Sequence, residues 1–261
     1  MLTAHFVFHG ALNDFLPRQL KDARVPYTFA PHQSIKHLVE ALGVPHVEVG
    51  EVRVDGQTVD SATRLPEGCQ VDIYPLDQES LADEEVRFIL DNHLGKLAAA
   101  LRMLGFDTLY RNDYQDDELA ATATAEQRIL LTCDRRLLMR KAISRGYCVR
   151  QDDPHEQIRA VLQRYKLHRQ VHPFRRCLRC NHLLQPVAKA KVIERLEPLT
   201  RLYFDEFSIC PACNQVYWRG SHYERMQSLV DELAAPGRRD IPGGGSFALS
   251  HPPGAAGADR G

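Results

Sequence analysis

The sequence predicts an α/β protein: a mainly parallel sheet flanked by helices, with a small α+β unit before it and a metal-binding ribbon after it. Three observations predict it. Between residues 86 and 165 apolar runs alternate with helical patterns over short connections, the mark of parallel strands joined by crossover helices. Residues 1–77 give strand, helix, hairpin and closing strand, an order that suits a ubiquitin-like β-grasp fold. Residues 172–223 carry two CxxC pairs, and four thiolates in that pattern are a zinc signature.

In the first unit "AHFVFHG" is the opening strand. "SIKHLVEALG" is a short helix capped by Ser34 and stopped by Gly43. "EVRVDGQTVD" alternates around Asp55-Gly56, a strong short hairpin signal, and "CQVDIYPL" closes the unit. No cluster of acids, bases or nucleophiles stands out here, so the unit is expected to bind or to support. An acidic connector, "DQESLADEE", follows. Strands are then expected at "VRFILD", "FDTLY", "RILLTC" and "YCVRQ", and helices at about 94–104, 117–126, 135–145 and 154–165. The segment from 236, with "PGGGS" and "HPPGAAGADRG", is Gly-, Pro- and Ala-rich and is expected to be disordered.

The 261 residues suffice for two domains and a small third one, and a 44% hydrophobic fraction allows a sizeable core. A formal net charge of −1 predicts no global attraction to nucleic acid or anionic membranes, so any such binding must use a local patch. No apolar stretch approaches the roughly 20 residues needed to span a bilayer. "MLTAHFVFHGALNDF" lacks the basic start and clean apolar block of a signal peptide. Four of the seven cysteines lie in the CxxC pairs, which in such a chain favours zinc over disulfides and the cytoplasm as compartment.

Acidic residues mark every strand end of the second unit. Asp91 closes the first strand, and Asp116, Asp117 and Glu118 open the helix after the second. Asp134 closes the third, and Asp152 with Asp153 closes the fourth. A parallel sheet brings such positions to one edge, where functional residues gather. Each acid also precedes a helix, and aspartate is a favoured N-cap. Asp153, before Pro154 and Glu156, fits a capping box and leaves Asp152 free. Two carboxylates about 4 Å apart repel by roughly 1 kcal/mol in water and about 4 kcal/mol at an effective dielectric of 20. A hard divalent cation, Mg or Mn, relieves that repulsion and can act as a Lewis acid on a phosphodiester.

The strings "FILDNHLGKLAAALRMLGFDTLY", "DDEL", "RILLTCD", "RCLRCN" and "YWRGSHYERM" together resemble the Mut-seven C-terminal ribonuclease family over roughly residues 86–226. "LNDFL" and "LGVPHVEV" resemble the ubiquitin-like domain often joined to it. The resemblance implies a PIN-like metal-dependent RNase with a zinc ribbon, its catalytic acids falling on Asp91, Asp116, Asp134 and Asp152. It implies Mg or Mn at Asp91, Asp116 and Asp134. The family usually carries arginine where Cys133 stands, and Arg135 and Arg136 are the neighbouring replacements for that charge. The expected divisions are a ubiquitin-like domain at 1–77, a PIN-like domain at 86–170, a zinc ribbon at 171–226 and the tail at 236–261.

Cys177, Cys180, Cys210 and Cys213 are expected to fill a closed tetrahedral shell around structural zinc. Cys69, Cys133 and Cys148 are expected to be buried. "RYKLHRQVHPFRRCLRC" sets arginines beside Tyr165 and Phe174, a composition suited to phosphate contacts and base stacking on single-stranded RNA. Arg102, Arg135, Arg136, Arg175, Arg176 and Arg219 are the candidates to contact RNA, and His222 is expected to brace the ribbon. The alternative to a nuclease is a non-catalytic RNA-binding adaptor on the same fold, which Cys133 favours. The sequence argues against a sulfur-carrier role, which needs a free Gly-Gly end, because the strand here runs on into "YPLDQES".

Overall fold

A computed structural model describes residues 1–79, 81 and 85–234. The tail expected from 236, and the middle of the acidic connector, lie outside the described residues. The N-terminal unit holds β1 (Leu2–Phe8), β2 (Val25–Phe29), α1 (Ile35–Ala41), β3 (Val49–Val54), β4 (Gln57–Thr58) and β5 (Gln70–Pro75). Their sheet order is β2-β1-β5-β3-β4, with β1 and β5 parallel and the other pairs antiparallel, a β-grasp arrangement. Asp55 and Gly56 both take positive φ, 47° and 83°, as the tight β3–β4 turn demands. Ser34 caps α1 through the His37 N–H. Strand β2 was not expected from the sequence. Pro26 interrupts its pattern, and proline is tolerated there because β2 is an edge strand.

The second sheet runs β7-β6-β8-β9, all parallel, from β6 (Arg87–Leu90), β7 (Asp107–Tyr110), β8 (Ile129–Thr132) and β9 (Gly146–Cys148). Helices α2 (Gly95–Met103), α3 (Asp116–Ala125), α4 (Arg135–Leu138) and α5 (Pro154–Arg164) connect and cover it. The helix expected over 135–145 stops at Leu138. Tertiary contact overrides helical pattern here: Ile143 is buried, and its carbonyl lies 2.8 Å from Nε2 of His46 in the N-terminal unit. Gly146 then opens β9 where a Cβ would stand 2.6 Å from a Leu138 methyl. The ribbon region holds β10 (Gln185–Val187), α6 (Lys189–Val192), α7 (Pro198–Tyr203), β11 (Phe207–Ile209) and β12 (Val216–Trp218), followed by α8 (Ser221–Ala234).

Alternation along the central strands divides the core. Phe88, Leu90, Ile129 and Leu131 face the side covered by α2 and α5. Ile89 and Leu130 face the other side, where Leu119, Ala120 and Leu137 share one continuous cluster with Phe6, Phe8, Leu12 and Val44 of the N-terminal unit. Polar contacts cross the same boundary. The buried Glu48 accepts from the Cys148 N–H at 2.7 Å, on the edge strand β9. Arg164 donates to the Val47 carbonyl at 3.1 Å, and Arg150 donates to the Ala11 carbonyl at 2.8 Å.

Candidate active site and metal centre

Because the four strands are parallel, their C-terminal ends share one rim, and the acids named from the sequence all follow those ends. Asp91 follows β6 and Asp134 follows β8, its neighbour in the sheet. Asp116 is the first residue of α3, beyond β7, and Asp152 lies past β9. Asp91 is 5% exposed. One carboxylate oxygen accepts from the Thr132 hydroxyl and from the Cys133 N–H at 3.0 Å; the other accepts from the His93 N–H at 2.9 Å. Thr132 Oγ1 in turn accepts from the Asp134 N–H at 2.9 Å, so one hydroxyl links the two acids. Helix α2 has Leu94 at its N-cap, so capping does not account for Asp91. Asp134 and Asp153 do cap, the first through the Arg136 N–H at 2.7 Å, the second through the N–H groups of His155 and Glu156.

Asp116 is more than half exposed and lies 3.7 Å from Arg140, whose guanidinium also bonds Asp117 and feels the charge of Asp134. Sequence reading missed Arg140, which sits in the segment taken for a long helix. Asp152 is exposed and acts electrostatically on Cys133. Cys133, expected in the interior, is exposed at the rim, and partial desolvation followed by Asp91 and Asp152 pushes its thiol up. Cys69 and Cys148 are buried, and burial drives the Cys148 thiol to about 12.

The structure brings the four acids to one rim without closing Asp91, Asp116 and Asp134 around a point. Among the described residues, the set whose donor atoms all lie within 4.8 Å of one another is that of the four cysteines. A magnesium-type ion needs no such cage, because it takes one or two carboxylates and fills its shell with water and substrate phosphate. The rim fits that demand: Asp91 has three of roughly four acceptor positions filled, none of them by a cation, and Asp134 is exposed.

The candidate arginines separate into two groups. Arg102 is a correction: it is 5% exposed, and its guanidinium donates to the carbonyls of Thr108, Leu178 and Arg179 at 2.9–3.0 Å. It ties α2 to the ribbon. Arg176 is similarly spent on the Gly105 and Asn181 carbonyls and on Asp107. Arg135 bonds the Phe15 carbonyl at 2.9 Å. Arg136 and Arg175 are exposed, and their guanidinium groups have no partner among the described residues. Arg219 is mostly exposed, 3.9 Å from Glu206. Tyr165 is fully buried against Phe88 and offers no face for stacking on a base. The side chains of His222 and Arg225 lie outside the described residues.

The cysteine centre is compact. Sγ–Sγ separations of 3.5 Å for Cys177–Cys213 and 3.3 Å for Cys180–Cys210 exceed a disulfide bond. They lie near the ~3.8 Å edge of a tetrahedron with 2.3 Å Zn–S bonds. Each pair sits on the same knuckle: the Asn181 N–H bonds the Cys177 carbonyl and the Asn214 N–H bonds the Cys210 carbonyl, both at 2.9 Å. Both asparagines take left-handed φ, 70° and 58°. The repeated Cys-x-x-Cys-Asn pattern encodes that bend, since asparagine tolerates positive φ. Burial opposes ionisation of Cys177, yet its hydrogen bond with the Tyr217 hydroxyl and those from the backbone around Cys180 bring its thiol down to about 7. Four thiol donors so placed fit zinc.

Sequence reading also missed Asp107. It joins Arg128 at 2.7 Å, the Asn181 amide at 2.9 Å and Arg176 at 3.5 Å, fastening the ribbon to the start of β7.

The model of the family described as Mut7-C RNAse domain matches residues 86–230, and that described as Mut7-C ubiquitin matches residues 1–81. No curated protein and no solved structure matches the chain. With more than half its length matched by the first model, and the four-cysteine centre and parallel sheet inside that span, the chain belongs to the Mut7-C RNase family, with the ubiquitin-like domain of that family in front.

Proposed function

We propose that the protein is a metal-dependent ribonuclease that hydrolyses RNA phosphodiester bonds at the rim of Asp91, Asp116, Asp134 and Asp152. The observation that carries this reading is Asp91, a buried carboxylate at the end of a central strand, matched by no cation among the described residues and linked through Thr132 to the exposed Asp134. Asp91 and Asp134 would hold Mg or Mn, and Asp116 would complete the set. When bound, the ion supplies Lewis-acid stabilisation of the phosphodiester and lowers the pKa of water. Asp152 orients the attacking water. Arg136, without a side-chain partner among the described residues and two positions after Asp134, offers the phosphate a cation where the family's usual arginine is Cys133. We further propose single-stranded RNA as substrate, structural zinc on the four cysteines, the cytoplasm as compartment and a protein partner for the ubiquitin-like domain.

The test is RNA cleavage with Mg²⁺ or Mn²⁺ by wild type and Asp91→Asn at matched fold and zinc content. We expect a loss of about 100-fold; equal turnover overturns the assignment. One observation favours a second reading as a non-catalytic RNA-binding adaptor: three donors already engage Asp91. Tight RNA binding by wild type without metal-dependent turnover would select it.

A further inference from the structure

A cavity of about 600 Å³ lies between the ribbon and α8, lined by Phe174, Arg176, Trp218, Arg219 and Tyr223 among others. That volume is within the roughly 300–1,000 Å³ of small-ligand sites. We propose that it is a stacking subsite for an unpaired base of the RNA substrate, a reading that rests on the ribonuclease assignment and adds to it a place where the strand is gripped.

The argument starts from the aromatic faces. Phe174 takes φ 60°, a conformation uncommon for a bulky residue, and its N–H bonds the Met103 carbonyl at 2.9 Å. So held, its ring meets that of Tyr223 at 4.0 Å between centroids, with 32° between planes. The Arg219 guanidinium sits 5.5 Å from the same tyrosine ring. Trp218 is 39% exposed, a large share of the most apolar surface a side chain can offer. Gly220 is required beside it, because a Cβ there would stand 2.9 Å from the indole nitrogen. Aromatic rings and an arginine plane around one cavity are the elements by which proteins stack unpaired bases.

Charge then selects the ligand. The carboxylates lining the cavity are matched: Asp205 by Lys189 at 2.8 Å and Glu206 by Arg219 at 3.9 Å. Arg176 is matched by Asp107. Arg175, which follows Phe174 in the chain, is exposed and its guanidinium is unmatched among the described residues, so an unspent cation stands one residue from a lining ring. An anionic backbone carrying a flat base satisfies both features, whereas an apolar peptide satisfies only the first. The Arg102 strut and the Phe174 anchor fix the cavity to α2, which follows the strand that ends at Asp91. The grip therefore has a constant station relative to the acidic rim.

Trp218 is the chain's one tryptophan, so its fluorescence reports on the cavity directly. The experiment titrates the full chain carrying Asp91→Asn, without added Mg²⁺ or Mn²⁺, with three probes. These are oligoadenylate of about ten nucleotides, within the site sizes of single-strand binders, an abasic oligomer of equal length, and an RNA duplex. Oligoadenylate is expected to quench Trp218, and the other two to do so weakly. Tyr223→Ala is expected to weaken oligoadenylate binding roughly 5- to 150-fold, one base's worth of stacking. Trp218→Phe, followed by anisotropy of labelled RNA, should retain most of the affinity because a ring remains. Equal quenching by the abasic oligomer overturns the proposal. So does unchanged affinity in Tyr223→Ala at full zinc occupancy, or quenching by apolar peptide but not by RNA. Quenching without cleavage by wild type removes the nuclease reading and keeps the subsite. Cleavage without quenching does the reverse.

Discussion

Asp91 and Asp107 sit on adjacent parallel strands at opposite ends of the same sheet. Asp91 follows the last residue of β6; Asp107 pairs in register with Arg87, the first. Asp107 is surrounded by Arg128, Arg176 and the Asn181 amide. Burial alone would raise its carboxyl, but the bonds from Arg128 and Asn181 hold it below the usual range. Among the described residues, Asp91 receives only a hydroxyl and two main-chain N–H groups. The difference gives a way to separate an acid spent on the fold from one proposed for a ligand. A carboxylate matched by built-in cations spends its charge on the fold, and one held only by neutral donors keeps its charge for a ligand.

The largest test of that contrast is zinc removal. Asn181 follows Cys180 directly and bonds both Asp107 and the Thr108 N–H. Structural zinc contributes about 10–16 kcal/mol in small zinc modules. Stripping the proposed zinc with a chelator is expected to melt the ribbon and loosen the Asp107 end of the sheet while the Asp91 end stays protected, as hydrogen exchange would read. Loss of protection at both ends together would break the contrast.

Next in size is Asp107→Ala. Removing one partner of a buried pair costs about 3–5 kcal/mol, and Arg128, 7% exposed, would be left without this partner. Urea unfolding should show a loss near 3 kcal/mol, with RNA turnover per folded molecule unchanged. The cost should shrink in acid. A depressed carboxyl lends its stability above the ordinary carboxylate range and loses it as pH falls through the lowered value. A stability loss that stays constant at low pH would show that charge is not its origin.

Glu48 gives the smallest effect and the opposite sign. Burial raises its carboxyl, against the Cys148 N–H and Arg164. Above pH 4.5, its ordinary value, the unfolded chain ionises more freely than the folded one, so the Glu48 contribution falls as pH rises until the raised value is passed. Glu48→Gln keeps an acceptor for Cys148 and should flatten that slope in thermal melts across pH 4.5–7. An unchanged slope would mean that Glu48 does not titrate in this window.

The contrast also explains what the sequence made legible. Asp91 could be found because a strand ending in three apolar residues halts on it, a local pattern; the paired Cys-x-x-Cys-Asn knuckles are local too. Asp107 could not, since an aspartate two residues past Gly105 resembles any turn acid until Arg128 and Asn181 arrive from 21 and 74 positions away. Arg102 and Tyr165 were misread for the same reason. Their partners are carbonyls and rings supplied by tertiary packing, and polar or aromatic type alone does not show which way a side chain turns. The short α4 yielded to the pull of His46 on the Ile143 carbonyl, a contact spanning 97 positions.

The continuous cluster joining Ile89 and Leu130 to Phe6 and Phe8 has a practical corollary. Cutting the chain in the connector would turn a dry interior into wet surface on the Ile89 side of the parallel sheet. A fragment starting at residue 86 would aggregate for want of its cover. The leading segment is a wall of the building, not a tag hung upon it.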